Sequence, residues 1–195
     1  MKIVKNNLYL VTGGSGFLGE VLVKDILSKG GRVRVLCRNE GKLISLKQNF
    51  PSIEIYAGDI SDAFEVNQAC KDVNGIFHLA AAKHVGLAET FTRECTKVNI
   101  IGSLNLLESS LKYKPEFVIG ISTDKAAQVS GVYGASKMLM ERLFSQFERL
   151  TDQTQYRIVR YGNVLYSTGS VLCKWKDLLK ENKQVIITDP GATRF

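Results

Sequence analysis

The sequence predicts a doubly wound α/β fold built on a parallel sheet of about seven strands, and three observations predict it. Short runs of β-branched and aromatic residues alternate with longer amphipathic stretches, the repeating strand and helix order that lays helices on both faces of a sheet. Several of the runs are nearly continuous in apolar residues, as strands covered on both faces require. The first run passes directly into a glycine-rich turn, TGGSGFLG (12–19), that opens a helical pattern.

In chain order the strands are LYLVT (8–12), RVRVLC (32–37), IEIYA (53–57), GIFHLA (75–80), EFVIGIS (116–122), YRIVRY (156–161) and QVIIT (184–188). Each is short and rich in Val, Ile, Leu, Tyr or Phe. Between them apolar residues recur at helical spacing over 17–29, 40–49, 62–71, 88–112, 133–152 and 170–181. No linker, repeat or low-complexity tract divides the 195 residues, a length suited to one well-buried core.

Composition narrows the class. With 45% hydrophobic and 23% charged residues and three prolines, the chain reads as an ordinary globular protein. No apolar run approaches the roughly 20 residues of a membrane helix, and MKIVKNNLYLVTGG reaches the glycine turn too early for a signal peptide. A cytoplasmic protein without a membrane partner is expected. Cys37, Cys70, Cys95 and Cys173 are scattered, with no paired spacing and no histidine cluster, so neither disulfides nor a metal site is expected. The net charge of +7 is spread along the chain. It fits a solvated surface or a phosphate-bearing ligand, and without a dense patch it does not point to nucleic acid.

The glycine turn is specific because of where it lies. Gly14-x-Gly16-x-x-Gly19 matches the dinucleotide fingerprint, and Gly13-x-x-Gly16-x-x-Gly19 its short-chain-dehydrogenase variant, about ten residues from the N-terminus between a strand and a helix. Glycine here permits a tight turn and close approach of backbone N–H groups to a pyrophosphate at the helix N-terminus. Gly13, Ser15, Gly16, Phe17, Leu18 and Gly19 are therefore candidate cofactor contacts in a Rossmann-like domain. After the second strand, LCRNEGK carries Arg38 and Lys42, which favour the 2′-phosphate of NADP; Glu40 leaves NAD open as the second choice. Asp59 and Ile60 follow the third strand, where the acid can accept a hydrogen bond from the adenine amino group.

The stretch ISTDKAAQVSGVYGASK (121–137) gathers reactive side chains. Tyr133 and Lys137 are spaced i, i+4 and share a helix face. A phenol of pKa about 10 serves as a base near neutrality only where positive charge stabilises its phenolate, and Lys137 and an oxidised nicotinamide both supply such charge. Ser122 and Thr123 end the fifth strand beside them. Asp124 and Lys125 admit two readings: a solvated pair in a turn, or a second acid and base for a proton transfer that alcohol oxidation does not need.

These residues carry a resemblance. TGGSGFLG, GDISD, HLAAAKHVGLAE, VNIIGSLNLLE, ISTDKA, VYGASK, VRYGNV and ITDPGATRF occur across the chain in the order found in extended short-chain dehydrogenases. Within that group the sequence resembles the C5-inverting UDP-N-acetylglucosamine 4,6-dehydratases. Most sugar-nucleotide epimerases of this fold lack the Asp-Lys pair, and the membrane-anchored, C5-retaining relatives typically have Met where this chain has Tyr133. The resemblance implies an NADP-dependent enzyme acting on a UDP-sugar, with Thr123, Asp124, Lys125, Tyr133, Lys137 and Asn99 in catalysis. It implies that Ala80, Ala81 and Ala82 keep the nicotinamide path clear, and that Lys83, His84, Asn163, Ser170 and Arg194 touch the substrate. It implies a homo-oligomer built on the helices at 88–112 and 133–152. The family continues beyond the TRF motif into a smaller lobe that closes over the sugar nucleotide, so residues 1–195 correspond to its dinucleotide-binding domain with that lobe largely absent. The other readings of the scaffold are a nucleotide-sugar 4-epimerase, a C5-retaining dehydratase, and a non-catalytic dinucleotide-binding module, which usually loses the Tyr or Lys retained here.

Overall fold

The computed structural model of the protein describes residues 2–167, 170–187 and 189–191. In order they form β1 (Leu8–Thr12), α1 (Phe17–Ser28), β2 (Arg32–Cys37), α2 (Glu40–Asn49), β3 (Glu54–Ala57), α3 (Ala63–Ala69), β4 (Gly75–His78), α4 (Val85–Thr90) and α5 (Thr92–Thr96). A π-helical turn (Lys97–Ile101) then leads into α6 (Gly102–Tyr113) and β5 (Phe117–Thr123). A 3-10 turn (Asp124–Ala126) precedes α7 (Val132–Glu148), β6 (Gln155–Tyr161) and α8 (Val171–Lys180). The chain divides into two compact units, Met1–Gly162 and Asn163–Phe195. The first holds the whole sheet and the second holds α8.

The sheet has the order β3-β2-β1-β4-β5-β6, and every pair is parallel. Strand succession reverses between β1 and β4, which opens a crevice at their carboxyl ends. The alternation in LYLVT explains why β1 can sit at the centre. Leu8 and Leu10 face one core cluster with Leu106, Leu107, Met140 and Phe144, while Tyr9 and Val11 face the other with Val23, Ile26, Leu43 and Leu46. Full burial of each such side chain stabilises by about 1.5–3 kcal/mol. The site is thus assembled at one edge of a rigid, doubly covered sheet.

Two expectations are corrected. Among the described residues the sheet has six strands rather than about seven: Gln184 to Ile187 form no strand, and Ile186 is 82% exposed, because a β-branched run becomes a strand only where a neighbour accepts its backbone bonds. The helix read over 88–112 is broken. Phe91 leaves helical geometry at φ −114° and ψ 54°, and the π-helical turn adds an extra residue around Asn99. Among the described residues no helix is long and apolar enough to cross a membrane.

Candidate active site

The glycine turn follows from backbone constraints. Gly13 has φ +69°, a left-handed conformation, and a Cβ there would lie 2.9 Å from the Ala80 nitrogen. Its N–H donates to the Leu36 carbonyl at 2.9 Å, which ties the loop to β2. At Gly19 a Cβ would meet the Gly13 oxygen at 2.6 Å, so α1 closes directly on the turn. Gly16 caps the twelve-residue α1 without any side-chain bond. The first-turn N–H groups of Phe17 and Leu18 accordingly face no capping side chain, a cradle that fits a pyrophosphate. Ser15 is buried, with its Oγ 3.0 Å from Cys37 Sγ at the end of β2.

Beyond β2, Arg38 Nη1 lies 3.9 Å from Asp59 Oδ2, and Lys42 occupies the first turn of α2, its N–H capped by Asn39 Oδ1 at 2.9 Å. Asp59 Oδ1 accepts from the Ser61 N–H at 2.9 Å and the Ser61 hydroxyl at 2.7 Å. Burial pushes the Asp59 carboxyl up, but the Ser61 bonds and the charges of Lys97 and Arg38 outweigh it and hold the group below the usual carboxylate range. Ile60 is buried, and its carbonyl accepts from Asn105 Nδ2 at 3.3 Å.

The reactive stretch forms one compact group at the end of β5. Thr123 Oγ1 donates to Asp124 Oδ1 at 2.9 Å and caps the 3-10 turn by accepting from the Lys125 N–H at 3.4 Å. Lys125 Nζ sits 3.2 Å from Asp124 Oδ1. Helix α7 starts next to this turn, with Glu89 Oε1 accepting the Val132 N–H at 2.7 Å and so satisfying an orphan donor at the positive end of the helix. The approach is possible only because residue 134 is glycine: a Cβ there would stand 2.5 Å from the Lys125 carbonyl oxygen. Lys125 and Tyr133 are thereby held on facing elements in contact.

Burial shapes the two groups on α7. Lys137 is 3% exposed, donates to the Ile121 carbonyl at 2.7 Å, and is pushed down to about 8 by burial, with Cys95 and Glu141 opposing the shift. Tyr133 is raised above the ordinary phenol value by burial, against a lowering hydrogen bond with Thr123, while Tyr161, Asp124 and Cys95 raise it further. Tyr161 pairs with Thr123 across β5 and β6. Asn99 Oδ1 accepts from the Ala82 N–H at 2.8 Å, and its Nδ2 donates to the Ala82 carbonyl at 3.0 Å and to Ser136 Oγ at 2.9 Å. These bonds join the π-helical turn to the loop of Ala80, Ala81 and Ala82 and to α7 one residue before Lys137.

The remaining candidates are more dispersed. Lys83 and His84 are exposed on the loop between β4 and α4, His84 being the residue before the helix. Asn163 and Ser170 belong to the second unit, where Ser170 Oγ accepts the Cys173 N–H at 3.5 Å and caps α8. Arg194 lies outside the described residues. Sequence reasoning passed over Gly134, Glu89, Ser136 and Glu141. Glu141 accepts from Ser122 Oγ at 2.6 Å and from Arg160 Nε at 2.7 Å, and these bonds hold its carboxyl below the usual range. The i+4 step from Lys137 to Glu141 and a glycine in the first turn of a helix were the available signals.

A UDP-glucose 4-epimerase of Rickettsia bellii is 36% identical over 195 residues, covering 95% of this chain and 57% of its own length. A UDP-N-acetylglucosamine 4,6-dehydratase (inverting) of Campylobacter jejuni is 35% identical over 198 residues, covering 98% of this chain and 59% of its own. The solved structure of Pen from Bacillus thuringiensis superposes with a TM-score of 0.92 at 31% identity, covering 97% of this chain and 60% of that one. The chain thus spans about three-fifths of the length of these relatives. The family model described as polysaccharide biosynthesis protein matches residues 9–195, from β1 through the end of the sequence, and the chain belongs to that family.

Proposed function

We propose that this chain carries the cofactor site and reacting groups of a C5-inverting UDP-N-acetylglucosamine 4,6-dehydratase that uses NADP. The observation that carries the reading is the Asp124–Lys125 turn packed on Gly134, the residue after Tyr133, at the end of β5, with the buried Lys137 one helical turn further on. A phenol and a lysine suffice for alcohol oxidation. Elimination of water needs two further proton transfers, at C5 and at the 6-hydroxyl, and an acid and a base stand beside the phenol to perform them.

In this reading Tyr133 takes the proton of the sugar 4-hydroxyl. Burial keeps the phenol protonated at rest, so its base form depends on cationic charge, and Lys137 at about 8 is still largely charged near neutrality. A nicotinamide dinucleotide held by the glycine turn would supply the hydride acceptor for C4 and the hydride donor for C6. Lys125 removes the C5 proton that the 4-ketone has acidified. Asp124, protonated, donates to the 6-hydroxyl, which departs as water, and C5 takes a proton from solvent on the opposite face. Arg38 and Lys42 support the 2′-phosphate of NADP, and Asp59, fixed by Ser61, is poised to accept from the adenine amino group. The family resemblance is what makes Lys83, His84, Asn163, Ser170 and Arg194 the candidate contacts to the UDP-sugar.

A 4-epimerase is the second reading, favoured by the Rickettsia relative at 36% identity. The two diverge at Lys125, which an epimerase does not need. Incubation with UDP-N-acetylglucosamine and NADP, followed by NMR of the product, separates them. A 4-keto-6-deoxy sugar of L-arabino configuration, lost in Lys125→Ala, is the expected result. A C4 epimer formed without loss of water would sink the dehydratase assignment, an L-arabino product that survives Lys125→Ala would remove Lys125 as the C5 base, and retention at C5 would indicate the other dehydratase class.

A further inference from the structure

A buried histidine outside the reacting group ties the two halves of the site together. Thr12, His78, Asn99 and Ser103 are each 0–1% exposed. The Ala80 N–H donates to Thr12 Oγ1 at 3.1 Å, and Thr12 Oγ1 lies 2.8 Å from His78 Nδ1. On the other side of the ring, His78 Nε2 lies 2.9 Å from Ser103 Oγ, which in turn donates to the Asn99 carbonyl at 2.7 Å. Asn99 then clamps both backbone groups of Ala82 and reaches Ser136, which donates to the Tyr133 carbonyl at 2.8 Å. The chain leaves the loop at Ala80 and returns to it at Ala82.

Proton direction in this chain is forced. A carbonyl only accepts, so the one Ser103 proton goes to Asn99 and Ser103 must receive from His78 Nε2. Nδ1 of the neutral ring then accepts, so the Thr12 hydroxyl donates to it while taking the Ala80 N–H. An imidazolium would donate at Nδ1 as well, so the Thr12 oxygen would accept twice and its buried proton would lose its acceptor. We propose that His78, locked as the neutral Nε2–H tautomer, is a positioning residue that fixes the Ala80–Ala82 loop against the π-helical turn and, through Asn99 and Ser136, against the helix of Tyr133 and Lys137. That this loop borders a dinucleotide rests on the proposed function; the tautomer and the clamp do not.

The test is NMR on the full chain, with Thr12→Val and Ser103→Ala as variants that leave the ring in place. His78 is expected to show the Nε2–H pattern from pH 8 to pH 5. In each variant the Ala80 and Ala82 amides are expected to exchange about tenfold faster, the effect of one lost hydrogen bond on local opening. An Nδ1–H tautomer, protonation of His78 within that range, or exchange unchanged in both variants would overturn the proposal. NADP titration of the same samples separates the two ideas. Absence of NADP binding by the wild type counts against the dinucleotide reading while exchange still judges the clamp. With binding intact, Thr12→Val is expected to weaken NADP severalfold, and Ser103→Ala to act likewise.

Discussion

At the residue scale the site is governed by burial of groups that water would keep charged. Lys137 is read from the i, i+4 spacing as the partner of Tyr133, but its depth is visible only once Ile121 and Met140 are seen around it. The same holds for Asn99, whose partners Ala82 and Ser136 lie 17 and 37 residues away in sequence. Replacing a buried charge by a thioether of similar length relieves desolvation, so Lys137→Met is expected to match or exceed wild-type stability by about 1–3 kcal/mol in urea melts. The same variant is expected to lower turnover about a hundredfold or more, since phenolate formation loses its cation. The pH dependence has a definite sign. Folded Lys137 titrates at about 8, below its unfolded value of about 10.4, so the unfolded chain binds more protons between them. Wild-type stability gains a contribution of about 3 kcal/mol as pH rises through that window, and Lys137→Met lacks it. His78 acts in the acid range: burial pushes it down to about 3, with the Lys137 charge adding to the shift. Its contribution is complete above about pH 6.5 and falls as the unfolded histidine takes up a proton, by about 2 kcal/mol at pH 5. Urea midpoints of wild type and His78→Gln at pH 7 and pH 5 isolate that loss, and equal pH slopes in the two proteins would refute it.

At the element scale most boundaries were legible because each strand and helix answers to one local rule. β1 and β2 coincide with their apolar runs, and α2 with its helical pattern over 40–49. What could not be read was the break within 88–112. A π-helical turn is stabilised by what its displaced side chain meets, here the Ala82 backbone and Ser136 on another helix, so no local pattern announces it. The contact between the 3-10 turn and α7 was equally hidden, although the glycine that permits it stands in the quoted YGASK. Gly134→Ala forces a Cβ to 2.5 Å from the Lys125 carbonyl and must separate the two elements. It is expected to cost about 1–3 kcal/mol as an overpacked contact and to lower turnover tenfold or more through misplacement of the acid and base. Circular dichroism and urea melts report the first effect and steady-state rates the second. Turnover unchanged in Gly134→Ala would show that the contact does not set the chemistry. Loss of the α7 cap in Glu89→Ala is expected to cost about 1 kcal/mol with helix content otherwise kept.

At the scale of the whole molecule, alternating strands and helices with a glycine turn after β1 leave few topologies open, since parallel crossovers are right-handed and neighbours in sequence tend to be neighbours in the sheet. The observed order β3-β2-β1-β4-β5-β6 is one of these. The division after Gly162 was not legible: VRYGNV runs across it with no change in composition, because such boundaries are set by where long-range contacts cease. Association of copies also belongs to this scale. Helix α7 presents Leu139, 45% exposed, with Arg142 and Gln146 exposed after it, and Leu150, 58% exposed, follows in the turn just beyond the helix beside Arg142 and Gln146. A stripe with apolar ends and polar centre is self-complementary when two copies meet about a two-fold axis, because each end then covers its counterpart. Light scattering at micromolar concentration is expected to give at least twice the 21.6 kDa chain mass, and Leu139→Lys, which sets a charge against the apolar end of the partner's stripe, to return the monomer. A wild-type monomer would end the idea, and an oligomer indifferent to Leu139→Lys would move the interface off α7.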